Sequence, residues 1–442
     1  MALSQSLVLR AILFVCLAGA LGIDEYVPKL PFLEGAAALT IVTFLWLSFT
    51  VPMGVGTWAK VVAMPAVLVA GIMFTYSTVF SLNTGVSSIP SLLALRFFTF
   101  YLLAPLVYLM FLAGVTLRQI KDVLFSALLL AALIYVAAYL VLPLEEYADS
   151  TDPAKRRLVT YDAWRGVRLK SPVFIFVLLL AYNLRRLFVK EHIRALPVVL
   201  LVLMIVGSIF LMNVPRMHLA ALIVGCTGYF LFFAGKYRLR ATLIITPFVI
   251  GGLASISGVL LELMIQFFQG DASLVARGHS VQIAMQVFLE KPLLGLGQAS
   301  YHSKSFQDLF GLGFFPSDIG IVGTLFRFGL VGVILYLGWG IALLAGLLNV
   351  HLSDYVRKRD PAVWALLFTI LAMFVASVIQ PILIDKEGIP ITAFMCGIIM
   401  VYRHQFKALD ARKAVASRQM ASGLVQQSRQ RRGPAMPQGR GR

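Results

Sequence analysis

The chain has 442 residues, 60% hydrophobic and 13% charged, with a mean hydropathy of +0.87. Soluble domains carry about 45–50% apolar and about 25% charged residues, so a soluble globular domain and a disordered chain are both excluded. The formal net charge is nonetheless +18, which in a soluble protein would point to nucleic acid, so the placement of the cations decides its meaning.

In chain order, hydrophobic blocks fall at 5–23, 35–52, 59–80, 91–114, 120–142, 172–189, 195–213, 215–234, 241–262, 319–348, 362–382 and 388–403. Each has about the twenty residues that a helix needs to cross a bilayer core of about 30 Å. Backbone polar groups in lipid must be satisfied internally, so the blocks predict an all-α polytopic membrane protein with about twelve spans. The first block lacks a small-residue cleavage site and reads as a retained span. With both termini cytoplasmic, 24 Lys and Arg residues share the inner side with 5 acids, and 13 share the outer side with 15 acids. The opposite orientation violates the positive-inside rule at nearly every short loop. Residues 1–403 thus form one transmembrane domain and 404–442 a basic cytoplasmic tail. The tail serves orientation and contact with anionic headgroups, not nucleic acid.

Two outer loops are long, about 143–171 and about 263–318. Both are rich in aromatic, Arg and Gly residues, which predicts ordered structure. In the second, Gln282, Gln286 and Glu290 fall on one helical face and Val281, Ala284, Met285 and Phe288 on the other. That stripe predicts a helix lying on the membrane or capping a cavity, ended by Lys291-Pro292. The glycines at 295, 297, 311 and 313 then permit tight turns. Gly295-Leu296-Gly297 follows no strand, so it is not read as a dinucleotide loop. Cys16, Cys226 and Cys396 lie in apolar blocks and read as packing residues. No HExxH or CxxC motif occurs, and no metal or other cofactor is expected.

Outward cations run against the orientation rule and are the informative feature. They are Arg165, Arg168 and Lys170 in the first long loop, Arg96 near the outer end of the fourth span, and Arg216 opening the eighth. Arg277 and His279 precede the surface helix, His302 lies farther along the second long loop, and Arg327 sits about nine residues into the tenth span. A charge at that depth is costly and needs a polar cavity or partner. The plainer reading pairs these cations with outer acids or lipid phosphates. As a set, the planar guanidinium forks suit a phosphate-rich amphiphile at the membrane surface. Asp318 begins the tenth span, where it reads either as a helix cap or as a general base.

The stretch from Arg277 through Phe288-Leu289-Glu290-Lys291-Pro292-Leu293-Leu294-Gly295-Leu296-Gly297 to Asp318 and Gly329-Leu330-Val331-Gly332 resembles the O-antigen ligase/polymerase superfamily. Asn213-Val214-Pro215-Arg216 resembles its Ser-Arg element, and Arg165-Gly166…Ser171-Pro172 its Arg-Gly…Pro-Asn element. The span count and the two long outer loops match as well, though the motifs concentrate in about 160–335. The resemblance implies a metal-independent integral-membrane glycosyltransferase of GT-C-like fold in the bacterial inner membrane. Its donor is a glycan on undecaprenyl diphosphate, and assembly proteins such as a chain-length regulator are implied partners. Arginines hold the diphosphate while a base deprotonates the acceptor hydroxyl. Asp318 stands where ligases carry the His of a His-Asn pair, and Arg327 where members often carry Glu. That favours the polymerase branch over ligation to a lipid A core. On this reading Asp318, Arg216 and Arg277 are catalytic, and Arg165, Arg168, Arg96, Arg327, His279 and His302 bind substrate. From another class, a lipid-linked oligosaccharide flippase also accounts for the spans and internal charges.

Overall fold

The structure is a computed structural model that describes residues 2–23, 32–150, 155, 158–162, 166–170, 172–189, 272–298, 304–311, 314, 316–353, 360–377 and 380–431. It is mostly helical. The first helices are α1 (Ala2–Ala20), α2 (Phe32–Thr50), α3 (Val55–Thr84), α4 (Ser88–Ala94), α5 (Arg96–Leu112), α6 (Leu117–Val141) and α7 (Leu144–Asp149). A hairpin of β1 (Val159–Asp162) and β2 (Gly166–Leu169) leads to α8 (Val173–Val189). Then come α9 (Ala272–Glu290), α10 (Lys304–Phe310), α11 (Gly320–Leu352), α12 (Pro361–Ala376) and α13 (Gly388–Arg431).

Among the described residues, α2, α3, α6 and α11 are long and apolar enough to cross a membrane. Phe49, Phe74, Leu82 and Ile334 stand exposed on α2, α3 and α11. Such apolar display is costly in water and natural in lipid. The expected spans at 195–213, 215–234 and 241–262 lie outside the described residues. The expected span 91–114 is not one straight helix, because α4 and α5 meet at a bend of 45°. Pro90 sits in the first turn of α4, and α5 opens as a 3-10 segment in which the Thr99 hydroxyl donates to the Arg96 carbonyl, 2.6 Å.

The described residues of the first long loop include two strands, which qualify the all-α expectation. β1 and β2 pair antiparallel in the register Val159↔Leu169 and Thr160↔Arg168. Leu169 is buried, and its carbonyl accepts a hydrogen bond from the buried Tyr135 of α6 at 3.2 Å. The hairpin is thereby fixed to the bundle rather than left as a free flap.

Local sequence sets the helix starts. Thr116 and Gln119 form a reciprocal capping box on α6. Asp360 caps α12 by accepting from the Ala362 amide at 3.0 Å, with Pro361 in the first helical position. The packing is layered. α1 lies on α2 and α6, α5 on α2 and α13, and α8 on α12 and α6, while α11 contacts α9, α12 and α13. Asp360 also ties three of these helices. Its Oδ2 meets Lys121 Nζ of α6 at 2.5 Å and accepts from the Tyr402 hydroxyl of α13.

Lys121→Met would leave Asp360 largely buried without its cation. A loss of about 3 kcal/mol is expected, read as an earlier unfolding midpoint of the purified protein in detergent. An unchanged midpoint would show that the ion pair does not hold the three helices together.

Candidate functional site

The site is built around a break in α11. Gly329 has φ 61° and ψ −163°, a backbone conformation open to glycine alone. The break opens two helical hydrogen bonds, those from the Leu330 amide to the Phe326 carbonyl and from the Val331 amide to the Arg327 carbonyl. The segment 292–297 takes both halves of each. The Leu330 amide donates instead to the Pro292 carbonyl at 2.8 Å, and the Val331 amide to the Leu293 carbonyl at 3.2 Å. The Leu296 amide donates to the Phe326 carbonyl at 2.8 Å, and the Gly297 amide to the Arg327 carbonyl at 2.9 Å. The next carbonyl, Phe328, accepts from the Tyr76 hydroxyl of α3 at 3.1 Å. No carbonyl from 326 to 328 is left bare, which an interior requires.

The glycines of this segment are steric necessities. A Cβ on Gly295 would lie 2.6 Å from the Phe326 carbonyl oxygen, and one on Gly297 would lie 2.4 Å from the Phe80 nitrogen. Both residues also have positive φ. Asn83 of α3 anchors the segment from the other side, donating to the Leu296 carbonyl at 3.2 Å, and the Ser91 hydroxyl donates to the Gln298 carbonyl.

The second long loop clamps this arrangement. Phe306, Phe310 and Phe314 pack with Phe326 of α11, with ring centroids 5.4 Å apart for Phe310–Phe326 and 5.0 Å for Phe314–Phe326. Ala284, Leu296, Phe80 and Ile319 join them in a core of their own. The helix expected at 279–290 is present as the end of α9, and it stops before Lys291-Pro292. Gln282, Gln286 and Glu290 are exposed and Ala284 is buried, as expected, but the buried face is shifted in part. Ser280 and Ala284 face inward with Ile283 and Val287 beside them, while Val281 is exposed. The cause is its partner, the aromatic core, which reads a stripe rotated from the one hydropathy suggests.

Arg327 lies near the start of the long span, as expected, and the break adds that it ends the first segment of α11, two residues before Gly329. Residues 330–352 alone run about 34 Å at 1.5 Å per residue, enough to cross a bilayer core. Arg327 is 7% exposed, its Nε donates to the Gly323 carbonyl at 3.2 Å, and its guanidinium lies 5.4 Å from the Phe328 ring centroid. The side chain is thus buried, and backbone on both sides of it is fixed by the inserted segment.

Of the other expected residues, the described ones are placed as follows. Arg96 pairs with Glu34 of α2 at 3.4 Å and donates to the Leu93 carbonyl at 2.9 Å. Arg168 is half-buried on β2, and His279 is exposed on α9. Arg277 lies in α9, its side chain outside the description, and Arg165, Arg216 and His302 lie outside the described residues. Asp318 is exposed at the end of a 3-10 turn, Pro316–Asp318, and accepts from the Ser317 hydroxyl at 3.1 Å. The expected cap is corrected. Ile319 holds the cap position of α11, and no side chain caps that end. The 3-10 turn ends one residue too early for the carboxylate to reach the helix amides. Nor does an ion pair join Asp318 to Arg327 among the described residues.

Sequence reading missed a second polar group near Arg327. Tyr336 lies on α11 beyond the break, within electrostatic reach of both Arg327 and Asp385. Asp385 belongs to the link between α12 and α13, where its carboxylate accepts from Gln380 Nε2 at 3.1 Å and from the Lys386 amide at 2.9 Å. The available signal was the polar run Asp385-Lys386-Glu387 between two apolar blocks.

Gly329→Ala would force an L side chain into a glycine-only conformation, with its Cβ 2.3 Å from the Leu293 carbonyl oxygen. A loss of about 2 kcal/mol or more is expected, together with new protease cleavage at 291–298. Gly278→Ala, with open space around it, should be neutral or stabilising by up to about 1 kcal/mol. Equal behaviour of the two variants would show that the break does not depend on Gly329. Compared with known proteins, the chain matches no protein-family model and no curated protein sequence.

Proposed function

We propose that this membrane-embedded protein is a glycosyltransferase that polymerises oligosaccharide repeat units carried on undecaprenyl diphosphate, at the periplasmic face of the bacterial inner membrane. The observation that carries this reading is Arg327, a buried cation whose backbone is pinned by an inserted loop at the break of an apolar helix. Irregular backbone at membrane depth is tolerated where it is buried in protein or lines a polar cavity, and a charge there marks a functional site by default. A fixed guanidinium costs little reorganisation when negative charge develops on a departing diphosphate.

In this reading the acceptor hydroxyl attacks the anomeric carbon of the donor glycan. The new carbon–oxygen bond forms as the bond to the lipid diphosphate breaks, and the hydroxyl proton passes to a carboxylate. Arg216 and Arg277 bind the diphosphate, and Arg327 adds a third cation. Asp318, exposed and accepting from the Ser317 hydroxyl, is the carboxylate that takes the proton. Arg165, Arg168, Arg96, His279 and His302 line the path of the glycan or of the second lipid-linked unit.

The test is chain growth by purified protein in liposomes supplied with lipid-linked repeat units. A ladder of chain lengths supports polymerisation. Transfer that needs an added lipid A core acceptor would indicate a ligase, and movement of the substrate across the bilayer without growth would indicate a transporter. Arg327→Ala should slow growth about 100-fold or more, with Arg327→Lys intermediate, since a point charge replaces the fork. Asp318→Asn should abolish growth while leaving the unfolding midpoint unchanged. Near-normal growth by Asp318→Asn would remove it from the chemistry.

A further inference from the structure

The exposed side chains of the second long loop change character where α9 ends. His279, Gln282, Gln286 and Glu290 are exposed along the helix. Leu289 is 73% exposed, Leu293 66% and Leu294 37%. A lone exposed leucine needs no explanation, but these three join a larger apolar face. The Leu330 amide donates to the Pro292 carbonyl and the Val331 amide to the Leu293 carbonyl. The turn that carries Leu293 therefore stands beside the part of α11 that follows the break. That part exposes Leu330, Val331, Ile334 and Leu335. α11 is long and apolar enough to cross a membrane, so this side of it meets lipid, and the leucines of the inserted segment extend the same side.

Two helices act as rulers for the depth of the segment. Asn83, at the end of α3, donates to the Gly295 and Leu296 carbonyls at 3.4 and 3.2 Å. Farther down the same helix the Gln298 amide donates to the Tyr76 carbonyl at 3.4 Å. Tyr76 lies about 12 Å along the axis from Thr84, where α3 ends. On the other side, Gly329 lies about 13 Å from Gly320, where α11 starts. The segment thus descends between two spans instead of resting on their ends. Its backbone suits that place. The amides of Gly295, Leu296, Gly297 and Gln298 are all engaged, as are the carbonyls of Lys291, Pro292, Leu293, Gly295, Leu296 and Gln298. Irregular backbone at membrane depth demands such pairing. Glu290 and Lys291 come just before the turn and bring charge there, which belongs at the headgroups, and a lysine stem is long enough to reach them.

We propose that residues 289–294 form a re-entrant tip whose partner is the hydrocarbon of the bilayer. Leu289, Leu293 and Leu294 lie at the edge of the acyl chains, continuous with the lipid-facing side of α11, and Glu290 and Lys291 lie among the headgroups. Lipid as well as protein then holds the inserted segment, and it keeps the break in α11, with Arg327, at the border between hydrocarbon and headgroup. This surface does not rest on the glycosyltransferase reading.

The test uses full-length protein in nanodiscs of phosphatidylethanolamine and phosphatidylglycerol, with Cys16, Cys226 and Cys396 changed to Ser. A nitroxide is attached in turn to Leu289→Cys, Leu293→Cys, Ile334→Cys and His279→Cys. Its collisions with oxygen, which concentrates in hydrocarbon, and with a water-soluble nickel chelate are measured. Leu289→Cys and Leu293→Cys should resemble Ile334→Cys, open to oxygen and shielded from nickel. Their ratio of oxygen to nickel access should exceed that of His279→Cys by about tenfold or more, because a polar chelate is excluded from hydrocarbon. Nickel access equal to that of His279→Cys would show that the tip stands in water. Exclusion of both reagents would show that protein covers the leucines. Either result overturns the re-entrant tip. Leu289→Cys sits on regular helix away from the break and decides the matter by itself if Leu293→Cys does not fold.

Discussion

Two helical hydrogen bonds are opened at Gly329 and remade with another part of the chain. Pro292 and Leu293 supply the missing acceptors, and Leu296 and Gly297 the missing donors. The exchange lets an apolar helix break without exposing bare backbone, a condition that lipid and protein interiors both impose. Much of the surrounding structure depends on it. α9 must end before Pro292, and α3 must present Tyr76 and Asn83 to the inserted segment. Phe306, Phe310 and Phe314 close over Phe326 on one side of the break. The tight approach explains why glycine stands at 295, 297 and 329, since a side chain at any of the three would meet backbone.

The same exchange gives a buried cation its setting. An arginine in a continuous helix could rotate and snorkel toward the membrane surface. Arg327 is held at the end of a short segment whose following carbonyls are already engaged. Tyr336 lies within electrostatic reach on the far side of the break, and Asp385 stands beyond it. Other charges in the bundle serve assembly. Arg96 joins α5 to α2 through Glu34, and Asp360 draws α6, α12 and α13 together. Of the described outer arginines, Arg327 alone lies beside the inserted segment.

Hydropathy and local capping made the scaffold legible. The blocks at 35–52, 59–80 and 120–142 correspond to α2, α3 and α6 because side-chain transfer into lipid is a local property summed along a helix. Thr116 with Gln119 and Asp360 with Pro361 mark helix starts because a cap bonds within its own first turn. The stop at Lys291-Pro292 was equally local. Asp318 shows the limit of that logic. Its position before an apolar run suggests a cap, but Pro316 sets up a 3-10 turn that leaves the carboxylate exposed.

The sequence by itself determined a basic, strongly apolar helical membrane protein, with polar segments between its apolar blocks and glycines where the chain must turn. Composition and periodicity carry that much, because burial in lipid and helix capping act within about twenty residues. Only the tertiary structure decided that the Pro292–Gly297 segment completes a broken helix some thirty residues later. It also decided that α9 buries Ser280 beside Ala284 and leaves Val281 exposed, and that the last link passes beside the middle of α11. Those outcomes depend on which distant backbone groups find each other, and a hydrogen bond between residues far apart leaves no period in the sequence.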